Sequence, residues 1–455
     1  MPLETPLLDE YEQGFSVQDM FQVGSTGICS QKDHVVFHKD KESLLKLLKD
    51  FSTLESSELR RKYDIGDDSR DWRLEYAIRD VRANADNLEK YIVLCQYRPF
   101  DYRYTYYTGK TKSFISYPRG EVFKHMLPPP PTNPKTPNQT RKNAALNTPR
   151  QLKNNDKSWT QCFISTHIND QGLSSGGNGA GVNYPLYQFR DPNYTENFTP
   201  EFRSFIDKHY NHAFEPLEVL GYIYALLYSP NYRKRYESFL KIDYPKILFT
   251  ENKDLFRALS LLGIELIGLH ALNQESLNYS FEKLKDATIG ESGYIKAHER
   301  NPIVSKPSHN EPEKRLYINH SAYFSGVSQE IYDYRIGGYG VLDKYLKSHK
   351  NESCDFDHVT RIIKVIARTI EIQKTLGFLT SDLPHLKGND SQALMQEILQ
   401  NPPPPFNTNI ALILSRQAKA IGEFDFDAAF ISKEASDNNI YRRGGGLAFP
   451  LFCLV

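Results

Sequence analysis

Residues 97–119 read YRPFDYRYTYYTGKTKSFISYPR, with tyrosines at alternating positions before a Thr108-Gly109 dipeptide. Alternation with a period of two predicts β-strands, and the glycine predicts a turn at that dipeptide. A second stretch, DLFRALSLLGIELIGLHAL at residues 254–272, is apolar on nearly every side. It therefore predicts a buried core helix. Together the two stretches predict an α+β fold.

Outward from these stretches, the composition divides the chain into four segments. Residues 1–95 are predicted to be a mostly helical connector, in which Asp40 caps the helix KESLLKLLKDF. Residues 96–190 are predicted to be β-rich, with proline-rich and glycine-rich loops. Residues 191–380 are predicted to be a mixed α/β region, with short antiparallel sheets and a helical core. Residues 381–455 form a partial duplicate of an earlier part of the chain.

That duplication relates residues 127–187 to residues 399–452. Each copy has a proline run followed, in one order, by Ala-Leu, Arg-Gln, Phe-Ile-Ser and Pro-Leu-aromatic motifs. Several matches in one order are poorly explained by chance. Because the second copy lacks an equivalent of residues 97–119, its strands have fewer partners. We therefore expect residues 380–455 to contribute little to the main core.

Two low-complexity stretches interrupt the β-rich segment. Residues 128–143 are rich in proline, and residues 174–181 read SSGGNGAG. Such compositions do not hold one packed conformation unaided. We expect both stretches to be mobile.

The overall composition limits the class of protein. There are 56 basic and 56 acidic residues, so any basic surface has to be local. The five cysteines are scattered and form no CxxC pair, which is typical of reduced thiols and argues against a disulfide framework or a zinc site. No long apolar run predicts a membrane span, and MPLETPLLDEYEQ does not resemble a secretory signal. We expect a cytoplasmic protein without membrane contact.

Residues 97–119 also contain the densest mixture of basic and aromatic side chains outside the predicted helices. Guanidinium and ammonium groups suit phosphate, and tyrosines can pack against sugars, so the stretch is a candidate for contact with a nucleic-acid backbone. Asp101 is its single acid and cannot neutralise five bases. The alternative is one buried tyrosine face with the bases on a solvated face. The candidate contact residues are Arg98, Arg103, Tyr106, Lys110, Lys112 and Arg119.

A second candidate set follows the proline-rich stretch. Arginine pairs with guanine through two hydrogen bonds, and asparagine or glutamine pairs with adenine in the same way. The alternative is a set of capped turns and ordinary surface polar residues. The candidates for reading base edges are Arg150, Gln151, Lys153, Ser165, His167 and Asn169.

Several motifs, taken in order, are similar to those of a known family. FQVGSTGICSQKD is followed by residues 97–119, then by YIYALLYSPNYRKRYESFLKIDYP, LFRALSLLGIELIGLH and IYDYRIGGYGVLDKYLKSHK. This series resembles type ISP and related single-chain type II restriction–modification enzymes over roughly residues 15 to 375. The resemblance implies a region that lies downstream of an adenine-N6 methyltransferase domain and recognises the DNA target. Double-stranded DNA would be the partner, and the segments 96–190 and 191–380 would form the recognition region.

The motifs for catalysis are missing from this sequence. NPPPPF at residues 401–406 differs from the Asn/Asp-Pro-Pro-Tyr/Phe motif for a target adenine, and SSGGNGAG has no apolar strand before it. His209 with His212, and the acids near His358, supply too few ligands for a metal. We predict no catalytic residue, metal or cofactor in this chain. S-adenosylmethionine would belong to a missing methyltransferase domain or to a separate methyltransferase/nuclease subunit.

Three alternatives stay open at this point. The chain could be a complete enzyme with an unrecognised motif, although we predict it to be inactive alone. It could be a specificity-like scaffold subunit for a separate methyltransferase. It could also be a remnant of a disrupted restriction–modification gene, as the FPLFCLV ending suggests.

Overall fold

Helices of different lengths run through the whole of the described chain. The structure is a computed structural model and describes residues 6–127, 143–152, 158–174, 179–190, 193–294, 302–388, 391–404 and 406. The α-helices are α1 Pro6–Glu12, α2 Val17–Met20, α3 Asp33–Val36, α4 Lys41–Thr53, α5 Ser56–Lys62, α6 Leu74–Arg82, α7 Gly120–Phe123, α8 Pro200–Tyr210, α9 Pro216–Tyr228, α10 Pro230–Arg235, α11 Glu237–Leu240, α12 Lys253–His270, α13 Gln274–Glu282, α14 Gln329–Tyr332, α15 Val341–Ser348, α16 Phe356–Leu379 and α17 Gln392–Gln400. A 3₁₀ helix covers Ala85–Tyr91.

The strands are short and form several small sheets. They are β1 Phe15–Ser16, β2 Ser25–Thr26, β3 Ile92–Arg98, β4 Asp101–Tyr106, β5 Ala145–Pro149, β6 Phe163–Ser165, β7 Ile168–Asn169, β8 Gly181–Pro185, β9 Tyr187–Arg190, β10 Asn193–Glu196, β11 Lys246–Ile247, β12 Ser292–Tyr294, β13 Ser308–Asn310, β14 Arg315–Tyr317, β15 Ala322–Phe324, β16 Arg335–Ile336 and β17 Tyr339–Gly340. The larger sheets have the orders β2-β8-β5-β6, β4-β3-β7 and β12-β15-β14-β13. The fold is α+β, as predicted, and among the described strands the pairing is antiparallel except between β3 and β7.

The stretch that predicted the strands forms a hairpin with a different turn. β3 and β4 pair antiparallel, and the chain reverses at residues 99–100, where Phe100 has a φ of 63°. The predicted Thr108-Gly109 turn comes after β4 instead, with Gly109 at a φ of 71°. The predicted position of the chain reversal was wrong because β3 begins at Ile92, before the alternating tyrosines start.

The predicted N-terminal helix and its cap are confirmed. The Asp40 side chain accepts a hydrogen bond from the backbone N–H of Ser43, which stabilises the first turn of α4. α4 and α6 pack against the β3–β4 hairpin around a buried cluster that includes Phe51, Trp72 and Phe114. This packing holds α6 next to the loop that follows β4.

The N-terminal segment is not a separate connector in the fold. β1 pairs with β11, and β2 pairs with β8, so residues 1–95 supply strands to sheets completed much later in the chain. The predicted boundary at residue 95 also falls inside β3. These pairings require the N-terminal segment and the β-rich segment to fold together.

The helical core is built on a very close approach of α9 and α12. A Cβ atom on Gly263 would lie 1.8 Å from the carbonyl oxygen of Gly221, and one on Gly221 would lie 2.5 Å from that of Ser260. Only glycines therefore fit where these backbones meet. The predicted buried helix at residues 254–272 is confirmed as α12.

A buried histidine connects three helices of this core. His270 on α12 has its Nδ1 2.7 Å from the Tyr224 hydroxyl oxygen and its Nε2 3.1 Å from Thr369 Oγ1. Burial lowers the pKa of His270 to about 3. The ring is therefore neutral, and one nitrogen accepts while the other donates.

The part of the C-terminal segment that the structure describes packs on the core. Leu386, Met395 and Phe406 are buried, and α17 packs against α12. Thr250 Oγ1 also donates a hydrogen bond to the carbonyl of Leu386. The expectation that residues 380–455 contribute little to the core is therefore wrong for residues 381–406. The second repeat copy lies mostly at residues 407–455, outside the described residues.

Two further expectations concern loops and membranes. Residues 128–142 and 175–178, which make up most of the stretches expected to be mobile, lie outside the described residues. Within the described part, no single helix is long and apolar enough to cross a membrane. The pair α12 and α13, bent by 115°, reaches the required length and composition only together.

Candidate nucleic-acid interface

The arginine at the end of β3 is held inside the fold by an acid that follows β7. Arg98 Nη1 donates to Asp170 Oδ1 at 2.6 Å, and the two side chains are 16% and 8% exposed. The guanidinium lies 3.9 Å from the centroid of the Tyr97 ring. Burial raises the pKa of the Asp170 carboxyl. Arg98 is therefore bound in an internal pair and is not presented to a phosphate.

Arg103 on β4 is buried even more fully. Its Nε and Nη2 donate to the two carboxylate oxygens of Asp101 at 2.8 and 2.7 Å. Ser348 Oγ donates to the same carboxylate at 3.3 Å. This geometry uses both edges of the Asp101 carboxylate and leaves Arg103 without access to a backbone phosphate.

Three more predicted contact residues lie in the interior. Tyr106 is fully buried, and its hydroxyl accepts a hydrogen bond from Asn84 Nδ2 at 3.0 Å. Ser165 is fully buried and donates to the carbonyl of His167 at 2.8 Å. Asn169 is also buried and donates to the carbonyl of Asp170 at 3.0 Å. None of these three side chains reaches a base edge in this conformation.

His167 lies at the margin of the same group. Its ring is half-buried, packs edge-on against Tyr102 at 5.4 Å, and places Nδ1 3.0 Å from Thr166 Oγ1. Tyr102 and Tyr104 are half-buried, whereas Arg103 between them is buried, so β4 has neither the buried tyrosine face nor the solvated basic face of the alternative interpretation.

The predicted bases after β4 are accessible. Lys110 and Lys112 are exposed on the loop that follows the strand. Arg119 is half-buried, has a φ of 55° and lies 5.0 Å from the centroid of the Tyr117 ring. These three are the members of the basic stretch that the fold presents toward solvent.

Arg150 and Gln151 are exposed where β5 ends. Arg150 Nε donates to Asp243 Oδ1 at 2.9 Å, and the two side chains are 63% and 60% exposed. The backbone N–H of Leu152 donates to the carbonyl of Lys241 at 2.9 Å. Lys153, the third predicted base reader here, lies outside the described residues.

Packing brings further cations next to Lys112 that the sequence did not single out. Arg73, which directly precedes α6, and Arg79, within α6, lie 5.8 and 5.3 Å from the centroid of the Tyr76 ring. Lys112 lies 6.0 Å from the same ring, and Arg79 Nη2 donates to the Lys112 carbonyl at 3.4 Å. The signal in the sequence was the three-residue spacing of Arg73, Tyr76 and Arg79, which places them close together on one helix.

Hydrogen bonds connect the chain segments that carry these exposed residues. The N–H of Gly27 donates to the carbonyl of Gly181, at the end of the sheet where Arg150 follows β5. Cys29 and Tyr117 exchange backbone hydrogen bonds of 3.1 Å in both directions. Ser116 Oγ then donates to the carbonyl of Asp71 at 3.1 Å, shortly before α6. The segments before α6 and after β5 are thus tied together by residues 27–29 and 116–117.

The chain matches one known protein family over most of its length. The family model described as the Type ISP C-terminal specificity domain matches residues 19–375. The chain belongs to this family. The match confirms the family that the ordered motifs indicated, over nearly the same residues.

Solved structures share the fold of this specificity domain. A nuclease-deletion mutant of the Type ISP restriction–modification enzyme LlaGI, in complex with a DNA substrate mimic, is 19% identical at a TM-score of 0.54, covering 83% of this chain and 34% of that one. The DrdV–DNA complex is 17% identical at 0.54, covering 80% and 36%. The ATP-dependent Type ISP enzyme LlaBIII bound to DNA is 18% identical at 0.57, covering 80% and 24%.

The chain corresponds to only part of each solved protein. The chain spans between 24% and 36% of the length of the three solved chains. At such identities the likeness shows the fold. No functionally curated protein matches the chain. All the predicted contact residues fall within the matched part of the specificity domain, whereas α17 lies beyond it.

The glycine-rich stretch lies between β7 and β8 along the chain, and Gly181 begins β8. Residues 175–178 of this stretch lie outside the described residues, so the expectation about S-adenosylmethionine stays a prediction. Among the residues described, no three His, Cys, Asp or Glu side chains are grouped to hold a metal ion.

Proposed function

We propose that this chain recognises a specific duplex DNA sequence, as the target-recognition part of a restriction–modification adenine-N6 methyltransferase/endonuclease system. The observation that carries the proposal is the match of the specificity-domain family over residues 19–375. The similarity of fold to enzymes whose structures contain DNA supports it. Methyl transfer and cleavage belong, in this proposal, to a domain or subunit outside this chain.

The accessible candidates divide into two roles. Lys110, Lys112 and Arg119, which are exposed or half-buried, are proposed to contact phosphates. Such contacts fix the register of the protein on DNA but carry no sequence information. Arg150 and Gln151 are proposed to read base edges. The Arg150–Asp243 pair is exposed on both sides, so breaking it to engage guanine costs only about 0–1 kcal/mol.

The proposed partner and compartment follow from this role. S-adenosylmethionine is bound by the methyltransferase domain or by a separate methyltransferase/nuclease subunit, and the assembly acts in the cytoplasm. The chain alone transfers no methyl group, because neither a cofactor loop nor a target-adenine motif is found in its sequence.

Fluorescence anisotropy with the full chain and labelled duplex DNA tests the proposal. We expect binding that weakens linearly with the logarithm of salt concentration, as counterions are released from phosphates. A single-stranded oligonucleotide of the same length is the matched control. Absence of duplex binding at low salt, both alone and with a co-purified methyltransferase, would contradict the proposal. Binding only with the methyltransferase would favour the scaffold alternative.

A further inference from the structure

We propose that Arg73, Tyr76, Arg79 and Lys112, here called the Tyr76 cluster, form a binding site for the phosphate backbone of duplex DNA. The inference rests on the proposed function, and it assigns the backbone contact to α6 and to the loop after β4 rather than to the β3–β4 hairpin. The cations of the hairpin, Arg98 and Arg103, are already bound by internal acids.

The first support is geometric, since cations from two elements converge on one ring. Arg73, Arg79 and Lys112 lie 5.8, 5.3 and 6.0 Å from the Tyr76 centroid. All three cationic side chains are exposed. Packing against an aromatic face restrains long side chains before a ligand arrives, which reduces the entropy lost on binding.

The second support is that the loop is fixed in place against α6. Thr108 Oγ1 donates to Asp80 Oδ2 at 2.9 Å, and the backbone N–H of Phe114 donates to the same oxygen at 3.3 Å. Asp80 is buried on the inner side of α6. Its carboxylate anchors both ends of the loop while Lys110 and Lys112 remain at the surface.

The third support is the charge balance of the Tyr76 cluster. Among the described residues, none of its three cations forms an ion pair, in contrast to Arg98, Arg103 and Arg150. Asp68 is close enough to Arg73 for the charge of Arg73 to lower the pKa of the Asp68 carboxyl. The Asp68 carboxylate, however, forms its ion pair with Arg60, with Arg60 Nη2 2.7 Å from Asp68 Oδ1. Glu75 on α6 accepts a hydrogen bond from Ser56 at 2.6 Å. Because the neighbouring acids Asp68 and Glu75 have other partners, the three cations remain available to an anionic ligand.

The spacing of the Tyr76 cluster fits a nucleic-acid strand. Arg73 and Arg79 are six positions apart, which corresponds to roughly 9 Å along a helix axis. Phosphates of one strand recur at roughly 3.4 Å along the axis of B-DNA, so the two arginines are far enough apart to contact different phosphates. Such contacts hold the duplex in register without selecting its sequence.

The test compares two triple variants of the full chain in salt-dependent anisotropy titrations with duplex DNA. The first replaces the Tyr76 cluster cations: Arg73→Gln, Arg79→Gln and Lys112→Gln. The matched control removes the same charge from exposed lysines in other loops: Lys285→Gln, Lys306→Gln and Lys350→Gln. Each lost phosphate contact reduces the log–log salt slope by about 0.9, so we expect the first variant to lose about 2.7. The control should lose far less.

The outcomes separate the inference from the proposed function. If the wild type binds duplex DNA and the cluster variant keeps its affinity and slope, the inference is overturned while the proposed function stands. If both triple variants lose affinity equally, the effect is net charge, and the inference is again overturned. If the wild type binds no duplex, the proposed function itself fails. Should the triple variant not fold, Lys112→Gln alone, on the exposed loop, should still reduce the slope by about 0.9.

Discussion

At the scale of single residues, the environment of each cation decides what it can do. The sequence predicted a basic stretch with one acid, Asp101, that could not neutralise it. In the fold, Asp101 forms an ion pair with Arg103. Arg98 forms its ion pair with Asp170, which lies seventy-two positions after Arg98 in the sequence. Residue types and spacing identified a real concentration of charge. They could not show which charges were compensated, because the acid bound to Arg98 comes from a distant segment.

The buried pair on β4 gives a stability prediction. Arg103→Ala should lower the free energy of unfolding by about 3–5 kcal/mol, because Asp101 would remain buried without its partner. Lys110→Ala, at an exposed position four residues past β4, is the control and should change stability by less than about 0.5 kcal/mol. Urea denaturation followed by circular dichroism measures both. Equal stability of the two variants would show that Arg103 is solvated and free to contact DNA.

At the scale of elements, long periodic segments were predicted well and short strands were not. The cap at Asp40 and the apolar pattern of α12 depend on local chemistry, so α4 and α12 could be predicted from the sequence alone. The hairpin reversal at residues 99–100 could not, because it depends on where β3 begins to pair with β4. Strands of two or three residues, such as β2 and β7, exist only through partners supplied by other segments.

The contact between α9 and α12 gives the second prediction. Gly263→Ala should destabilise the fold by about 3 kcal/mol or more, because a methyl group there overlaps the carbonyl of Gly221 and forces the helices apart. Gly377→Ala in α16 is the matched control, since a Cβ atom added at Gly377 would meet nothing within 4 Å. The control should be neutral or stabilise by up to about 1 kcal/mol.

Thermal melts of the two alanine variants give opposite expected shifts. A lower melting temperature for Gly263→Ala together with an unchanged or higher one for Gly377→Ala agrees with the packing described. Equal shifts for both would mean that α9 and α12 do not meet at these glycines.

At the scale of the whole molecule, segments that are separate in sequence fold together. β1 and β2 complete sheets with β11 and β8, and α17 packs against α12. The composition of the sequence predicted domain boundaries at residues 95 and 380. Composition reflects local changes of residue type and cannot show which distant strands pair with each other. The family was still accessible from the sequence, because an ordered series of motifs can be read without knowing how the segments pair.

The C-terminal contact gives the third prediction. Truncation after Pro384 removes Leu386, Met395 and Phe406 from the core, and each buried side chain of this kind contributes about 1.5–3 kcal/mol. We expect a clearly lower melting temperature or insoluble protein. Truncation after Phe406 keeps all of these contacts and should melt close to the full chain. A truncation after Pro384 that melts like the full chain would contradict the packing of α17.

We propose that this specificity domain selects a DNA sequence, and selection from a pool of randomised duplexes tests the proposal most directly. The full chain is incubated with the pool, and bound and input DNA are sequenced. We predict enrichment of one defined sequence, and relaxed enrichment at one or two positions for Arg150→Ala and Gln151→Ala, since each bidentate contact contributes about 1–3 kcal/mol of discrimination. Bound DNA with the same sequence composition as the input pool would contradict the claim.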